Sequence, residues 1–448
     1  MIHKYRQNEI NIVLDVESGA IHVVDDIVYD ILDYYENMPE DVLCGHLSGK
    51  YTLNALKEAL NEVEELKRNG LLFSEFDYSS QISKGGNKPV VKALCLNVAH
   101  DCNLRCGYCF AGEGEYGGKR AMMSLKTGKK AVDFIIHNSG NRHNLEIDFF
   151  GGEPLMNFEV VEGIISYARD EERKHNKNFR FTITTNGLLL NDTNLAFINE
   201  NMHNLVLSLD GRKEVNDVMR NTISGESCYE IILPKLIKAA ESRYQADYYV
   251  RGTFTHHNLD FSKDVLHLAN LGFKQISIEP VVAEDNKDYS IKEDDLPALY
   301  EQYEILAKEM ALRYGKEDDF NFFHFMIDLE GGPCLAKRLT GCGAGTEYLA
   351  VTPEGDLYAC HQFIGNENYK LGNVDLGITS DKTSDFKDLN VFTKEVCAAC
   401  WAKYYCSGGC AANALNFNGD LKIPYEIGCD LQRKRTECAI ALKCAVEF

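Results

Sequence analysis

No run of about 18 apolar residues occurs in this 448-residue chain, so no helix is expected to span a membrane. The opening, MIHKYRQNEINIVLDV, lacks an unbroken apolar core and a small-residue cleavage site. No export signal is read there, and a cytoplasmic location is expected. Positive charge is scarce: 47 Lys and Arg stand against 68 Asp and Glu, for a net charge of −21. That balance makes nucleic acid and anionic membrane poor partners, and a neutral or basic peptide or a small molecule a better one. No internal repeat or low-complexity segment is evident. Apolar content of 45% and charged content of 26% are ordinary globular values. The length allows two or three domains with real cores.

Cysteine is abundant, at 16 residues. Without an export signal, clustered cysteines read as metal ligands rather than disulfides. Cys44, Cys95, Cys228 and Cys438 fall outside any cluster spacing and read as buried small hydrophobes.

Residues 1–80 read as a first unit. INIVLDV and AIHVVD are strand-like and joined at Ser18-Gly19, a hairpin signal. Asp25 caps a helix with the stripe Ile27, Ile31 and Tyr34. A second helix carries Leu56, Leu60 and Val63 and stops at Gly70. The pattern suggests a small winged-helix-like module that closes its own small core, so that deletion to about residue 80 need not unfold the barrel. Residues 76–90 read as a linker.

From 91 to about 310 strands and helices alternate. The strands KALCLNVA, LEIDFFGG, FRFTITTNG, NLVLSLDG, YYVRGTF and QISIEPVV predict an α/β fold with a parallel sheet, either a partial (β/α)6 TIM-like barrel or a doubly wound sheet. Chemistry in such folds gathers at the C-terminal ends of the strands. Gly151-Gly152-Glu153-Pro154, Thr184-Thr185-Asn186-Gly187 and Ser208-Leu209-Asp210-Gly211 fall there. Residues 330–448 are dominated by cysteine.

CNLRCGYC, after the first barrel strand, supplies Cys102, Cys106 and Cys109. A structural zinc site takes four ligands. Three thiolates leave one iron of a cubane open to a small ligand, as a catalytic metal needs. Gly112-x-Gly114-x-x-Gly117 matches a dinucleotide fingerprint, but Glu113 and Glu115 would repel a pyrophosphate and no strand leads directly into it.

The C-x3-C-x2-C loop, with Tyr108 before its last cysteine, resembles the radical S-adenosylmethionine (radical SAM) enzymes. The resemblance implies S-adenosyl-L-methionine (SAM) and a 4Fe-4S cluster on Cys102, Cys106 and Cys109 as the catalytic centre. It implies cofactor contacts from Tyr108, Gly151, Gly152, Glu153, Thr184, Asn186, Ser208, Asp210 and Arg220, with Glu153 near the methionine amino group and Arg220 near its carboxylate. Cys342, Cys360, Cys397, Cys400, Cys406, Cys410 and Cys429 stand in the order of the SPASM extension of radical SAM peptide maturases. That resemblance implies two auxiliary 4Fe-4S clusters, one on Cys342, Cys360 and Cys410 and one on Cys397, Cys400, Cys406 and Cys429. Cys334 is the nearby spare thiol for the first. The N-terminal unit resembles the leader-recognition domain of ribosomal-peptide maturases, and its opening resembles maturases of the SCIFF peptides, which form thioethers of the sactipeptide type. The implied partners are a small cysteine-rich precursor peptide and an electron donor such as flavodoxin or ferredoxin. The alternatives are Cys or Ser oxidation of the anaerobic sulfatase-maturating type, carbon–carbon crosslinking, and a zinc-stabilised peptide-binding scaffold with no catalysis.

Overall fold

The structure is a computed structural model that describes residues 1–75, 90–329 and 335–447. Nearly all of the expected linker, and Cys334, lie outside the described residues.

The chain begins with three antiparallel strands, β1 (Ile2–Gln7), β2 (Ile10–Asp15) and β3 (Ile21–Val24), in that spatial order. Helices Asp26–Ile31, Glu40–Leu47 and Leu53–Arg68 follow. Asp25 caps the first, its side chain accepting from the Val28 N–H at 2.9 Å. Strand β1 and the helix Glu40–Leu47 went unread in the sequence, the latter a short segment behind Pro39 with no side-chain cap.

The small sheet has two different faces. Val13 turns toward the three helices and packs with Val28, Ile31 and Leu56. Tyr5, Ile12 and Leu14 turn the other way and pack on Leu339, Val391, Tyr404 and Ile440 of the C-terminal region. The loop after β2 adds Glu17, which accepts from Lys403 Nζ and from the Tyr404 hydroxyl, both at 2.7 Å. His3 stacks on Trp401 with ring centroids 3.8 Å apart. The unit therefore has a small core of its own around Val13, Ile31 and Leu56, and the other face of its sheet is core only because the C-terminal region covers it.

The remaining strands are β4 (Ala93–His100), β5 (Leu104–Cys106), β6 (Ala121–Met122), β7 (Asn144–Gly151), β8 (Asn178–Thr185), β9 (Asn204–Ser208), β10 (Arg220–Thr222), β11 (Tyr248–Phe254), β12 (Gln275–Pro280), β13 (Asn321–Phe322), β14 (Tyr348–Val351), β15 (Asp356–Tyr358), β16 (Lys370–Asn373) and β17 (Gly377–Ile378). Strands β4, β7, β8, β9, β11, β12 and β13 lie side by side in chain order, every neighbour parallel. A doubly wound sheet reverses its strand order partway. This one does not, so the order is that of a part-barrel.

Burial alternates along each strand. Phe181 and Ile183 of β8 are buried while Thr182 and Thr184 are half-buried, and β7 and β11 repeat the pattern. The apolar face lies under the helices and the more polar face lines the concave side. On the far side of β4 the sheet continues: β14 pairs with β4 in parallel, and β15, β16 and β17 extend it as an antiparallel meander. One apolar core runs from Leu94 and Phe149 to Leu349, Leu371 and Leu431, so the barrel and the cysteine-rich region share an interior. No helix among the described residues is long and apolar enough to cross a membrane.

Candidate active site

The loop after β4 is held from three directions. Its strand β5 pairs antiparallel with β10, setting Cys106 opposite Arg220. The Gly107 N–H donates to the Met219 carbonyl at 2.7 Å. Behind it, Gly152 passes so close that a Cβ there would sit 2.0 Å from the Asp101 carbonyl oxygen, a distance no side chain tolerates. The Gly151-Gly152 pair thus lets the strand end press against the cysteine loop. Gly114 has a similar reason: a Cβ on it would lie 2.9 Å from the Asp101 carbonyl carbon. The fingerprint-like glycines at 112–117 sit in turns rather than at a helix start, which agrees with setting the dinucleotide reading aside.

Cys102, Cys106 and Cys109 lie within Coulombic reach of one another. Burial pushes the free thiols of Cys102 and Cys106 up to about 11 and about 12. These thiols ionise readily only with a cationic partner to replace lost water. Cys102 Sγ accepts from the Leu104 N–H at 3.4 Å and from Asn186 Nδ2 at 3.7 Å.

Glu153 is buried at the end of β7. Its Oε1 accepts from the Leu155 N–H at 3.0 Å and the Thr185 hydroxyl at 2.8 Å, and its Oε2 from the Asn186 N–H at 2.8 Å. Burial nonetheless raises its pKa to about 7, against the pull of those donors. A carboxylate offers about four acceptor positions. Three are filled here, which leaves capacity for one more donor.

A second buried group faces the loop from the opposite side. The Tyr108 hydroxyl donates to Asp210 at 2.7 and 2.9 Å and accepts from Arg220 Nη1 at 3.1 Å. Asp210 also accepts from the Thr253 N–H at 3.0 Å. Loss of water raises the Tyr108 hydroxyl and the Asp210 carboxyl, while the Arg220 charge works against both shifts. Arg220 Nε and Asn103 Nδ2 are buried donors without a partner among the described residues. Removing one member of such a set leaves an uncompensated charge. Asp210→Ala is expected to cost about 3–5 kcal/mol, measured as a lower denaturation midpoint with an unchanged slope.

The predicted positions are thus largely gathered: Cys102, Cys106, Cys109, Glu153, Asn186, Asp210, Tyr108 and Arg220 lie near one another at the C-terminal end of the sheet. Thr184 and Ser208 lie half-buried on the concave face. The hydroxyl that meets Glu153 belongs to Thr185, and Asn103 accepts from Asn186 Nδ2 at 2.8 Å. Sequence reasoning passed over both. The Thr-Thr repeat gave no basis for choosing between the two threonines, but Asn103 lay inside the motif itself.

The C-terminal cysteines fall into two sets. Cys397, Cys400, Cys406 and Cys429 lie within Coulombic reach of one another. They line one small pocket. Cys342, Cys360 and Cys410 form the other set. Cys342 and Cys410 reach the surface. Cys95 lies within Coulombic reach of Cys360 but is fully buried in β4, with its thiol toward Asn97 Oδ1 at 3.8 Å. Among the described residues no three metal-ligating side chains converge to the spacing of a single bound ion. The donor sets are soft sulfur, which suits iron–sulfur clusters.

The family model of the Radical SAM superfamily matches residues 96–245. The chain is 32% identical over 191 residues to an uncharacterized protein of Methanocaldococcus jannaschii, a match covering 42% of this chain and 62% of that protein. It is 25% identical over 345 residues to a cysteine-type anaerobic sulfatase-maturating enzyme of Clostridium perfringens, covering 72% of this chain and 89% of that enzyme. Among solved structures, anSMEcpe with bound AdoMet superposes with a TM-score of 0.65 at 19% identity, covering 80% of this chain and 99% of that one. Streptococcus suis SuiB bound to its precursor peptide SuiA gives 0.54 at 16% identity, covering 94% and 97%. Residues 96–245 thus resemble a radical SAM domain, and the α/β fold with its central, largely parallel sheet is similar to that of anSMEcpe.

Proposed function

We propose that this protein is a radical SAM maturase that installs a thioether, cysteine sulfur to α-carbon, in a small ribosomally made cysteine-rich peptide. Bound at Cys102, Cys106 and Cys109, a 4Fe-4S cluster and SAM would supply one-electron reductive cleavage of the sulfonium to methionine and a 5′-deoxyadenosyl radical. The residues around that space fit such a guest. Glu153 keeps one acceptor position for an amino group. Arg220 keeps a buried Nε–H for a carboxylate, a charge-assisted contact. Asn186 links the Glu153 carboxylate, through its backbone N–H, to the cysteine loop, through its Nδ2, and Asp210 with Tyr108 fixes the Arg220 guanidinium. Thr184 and Ser208, half-buried on the concave face, would be the contacts to the ribose or the substrate. Burial of Glu153, Asn186, Asp210 and Arg220 helps exclude water from a reactive carbon radical.

The observation that carries the thioether reading is the set Cys342, Cys360 and Cys410, three thiols among the described residues, two of them exposed. A cluster held there by three thiolates would leave an iron free to bind and deprotonate a substrate cysteine. The set Cys397, Cys400, Cys406 and Cys429 would close a second cluster. Strand β3 supports the peptide reading. Its outer edge has no backbone partner among the described residues, and an unpaired edge can accept an added strand. An external one-electron donor such as flavodoxin or ferredoxin completes the scheme.

Similarity to a cysteine-type sulfatase-maturating enzyme favours a second reading, oxidation of a peptide Cys or Ser. The test is anaerobic co-expression with each small cysteine-rich peptide encoded beside the gene, followed by fragmentation mass spectrometry and thiol alkylation. A thioether removes two hydrogens and one alkylatable thiol. A carbon–carbon crosslink removes two hydrogens and keeps the thiol; oxidation of Cys to an aldehyde removes the sulfur, and oxidation of Ser removes two hydrogens, keeps the thiol and leaves the peptide uncrosslinked on fragmentation. Any of these other products overturns the thioether assignment, and a zinc-containing, iron-free protein overturns the enzymatic one.

A further inference from the structure

Lys394 is a buried cation, 3% exposed, at the start of the cysteine segment. Its ammonium donates to the Gly408 carbonyl at 2.7 Å. Among the described residues it makes no ion pair with a carboxylate. Burying an ammonium on one neutral acceptor is expensive, and such groups persist where an anion is near. Gly408 lies between Cys406 of the four-thiol set and Cys410 of the three-thiol set, and Lys394 stands three residues before Cys397, so the ammonium sits on the loop that joins the two sets. The second buried lysine of the segment, Lys403, does not share this position, because it pairs with Glu17 at 2.7 Å. Arg433 and Arg435 also approach the four-cysteine set, but Arg433 is paired with Asp430.

We propose that Lys394 is the shared counter-cation of the two C-terminal cysteine sites. It stabilises the anionic, thiolate-ligated form of each and raises the reduction potential of both together. The inference rests on the reading that these cysteines hold iron–sulfur clusters. It goes beyond that reading by assigning the residue that makes the pair an electron acceptor for chemistry at the barrel. Reduction adds one negative charge to a cluster, so a fixed cation in low dielectric favours the reduced state. A cation near both sites biases both in the same direction.

The test compares the unaltered full-length chain with Lys394→Met and Lys394→Arg, all prepared anaerobically. Methionine keeps the length and packing of the side chain and removes the charge, whereas arginine keeps the charge. Iron is counted first, then a redox titration is followed by paramagnetic resonance. In Lys394→Met the oxidised-to-reduced ratio of the C-terminal clusters at the unaltered protein's midpoint should rise about tenfold, equivalent to ~59 mV for one electron. The radical cluster should titrate as before, and Lys394→Arg should stay near the unaltered protein. Iron lost from the C-terminal sites in Lys394→Met and restored in Lys394→Arg also supports the assignment. Full iron with unshifted potentials in Lys394→Met overturns it, as does iron loss that arginine fails to restore. An unaltered chain holding only about four irons refutes the cluster reading itself, and is recognised before any variant is compared.

Discussion

Replacing Cys102, Cys106 and Cys109 together by alanine is expected to reduce 5′-deoxyadenosine formation to background while most of the iron stays bound. Three cubanes require roughly twelve irons, and the triple variant should lose about four. The reason is local. The three thiols sit on one loop, fixed by β5, β10 and Gly152, and the C-terminal cysteines belong to separate sets. Alanine at these positions leaves the backbone contacts of the loop in place, so the fold should survive. The measurement is SAM turnover with dithionite, by chromatography, beside an iron assay. Continued 5′-deoxyadenosine production would mean that the radical centre lies elsewhere.

The second large effect concerns the N-terminal unit. Deleting residues 1–75 is expected to damage the C-terminal cysteine region rather than remove a separable module. Tyr5, Ile12, Leu14 and Val16 are buried together with C-terminal side chains. A buried side chain of this kind contributes about 1.5–3 kcal/mol. Four of them rival the whole margin of a typical domain, about 5–15 kcal/mol. The truncation also removes Glu17, leaving Lys403 buried without its carboxylate. The expected result is a chain that aggregates or loses iron from the Cys397, Cys400, Cys406 and Cys429 set. A well-folded truncation with full iron would contradict this. Leader recognition is therefore better tested at the free edge. Hydrogen-bonded and outward-facing residues alternate along an antiparallel strand. The Asp15 N–H to Ala20 carbonyl bond sets the phase, so Val23, exposed and on β3, turns its N–H outward. Proline is tolerated on an edge and removes that donor. Val23→Pro should weaken leader binding about tenfold, the equivalent of one lost hydrogen bond of ~1.4 kcal/mol, with uncoupled SAM cleavage unchanged. Unaltered binding, measured by fluorescence anisotropy with a labelled leader, would place recognition off this edge.

Much of this protein was legible as text because its chemistry is written in short spacings. Cys102, Cys106 and Cys109 share one loop, and Gly151 to Pro154 and Ser208 to Gly211 end strands whose apolar runs are plain. A strand end and the turn after it are local features, so the sequence alone placed these residues on one rim of an α/β sheet. The grouping of the C-terminal cysteines came only from the resemblance to the SPASM order, and the thiols of each set lie within Coulombic reach of one another. Three things required the tertiary structure. The choice between a part-barrel and a doubly wound sheet depends on which strand lies beside which, and the strand patterns are compatible with both. The continuation of the sheet through β14 was hidden because β14 follows β4 by some 250 residues and is only four residues long. The role of Lys394, and the covered face of the N-terminal sheet, arise from packing between distant segments. A lysine in the sequence looks solvated. Only burial beside two sets of thiols makes it a charge that demands an anion, because the cost of that charge is set by the water excluded around it and not by its neighbours in the chain.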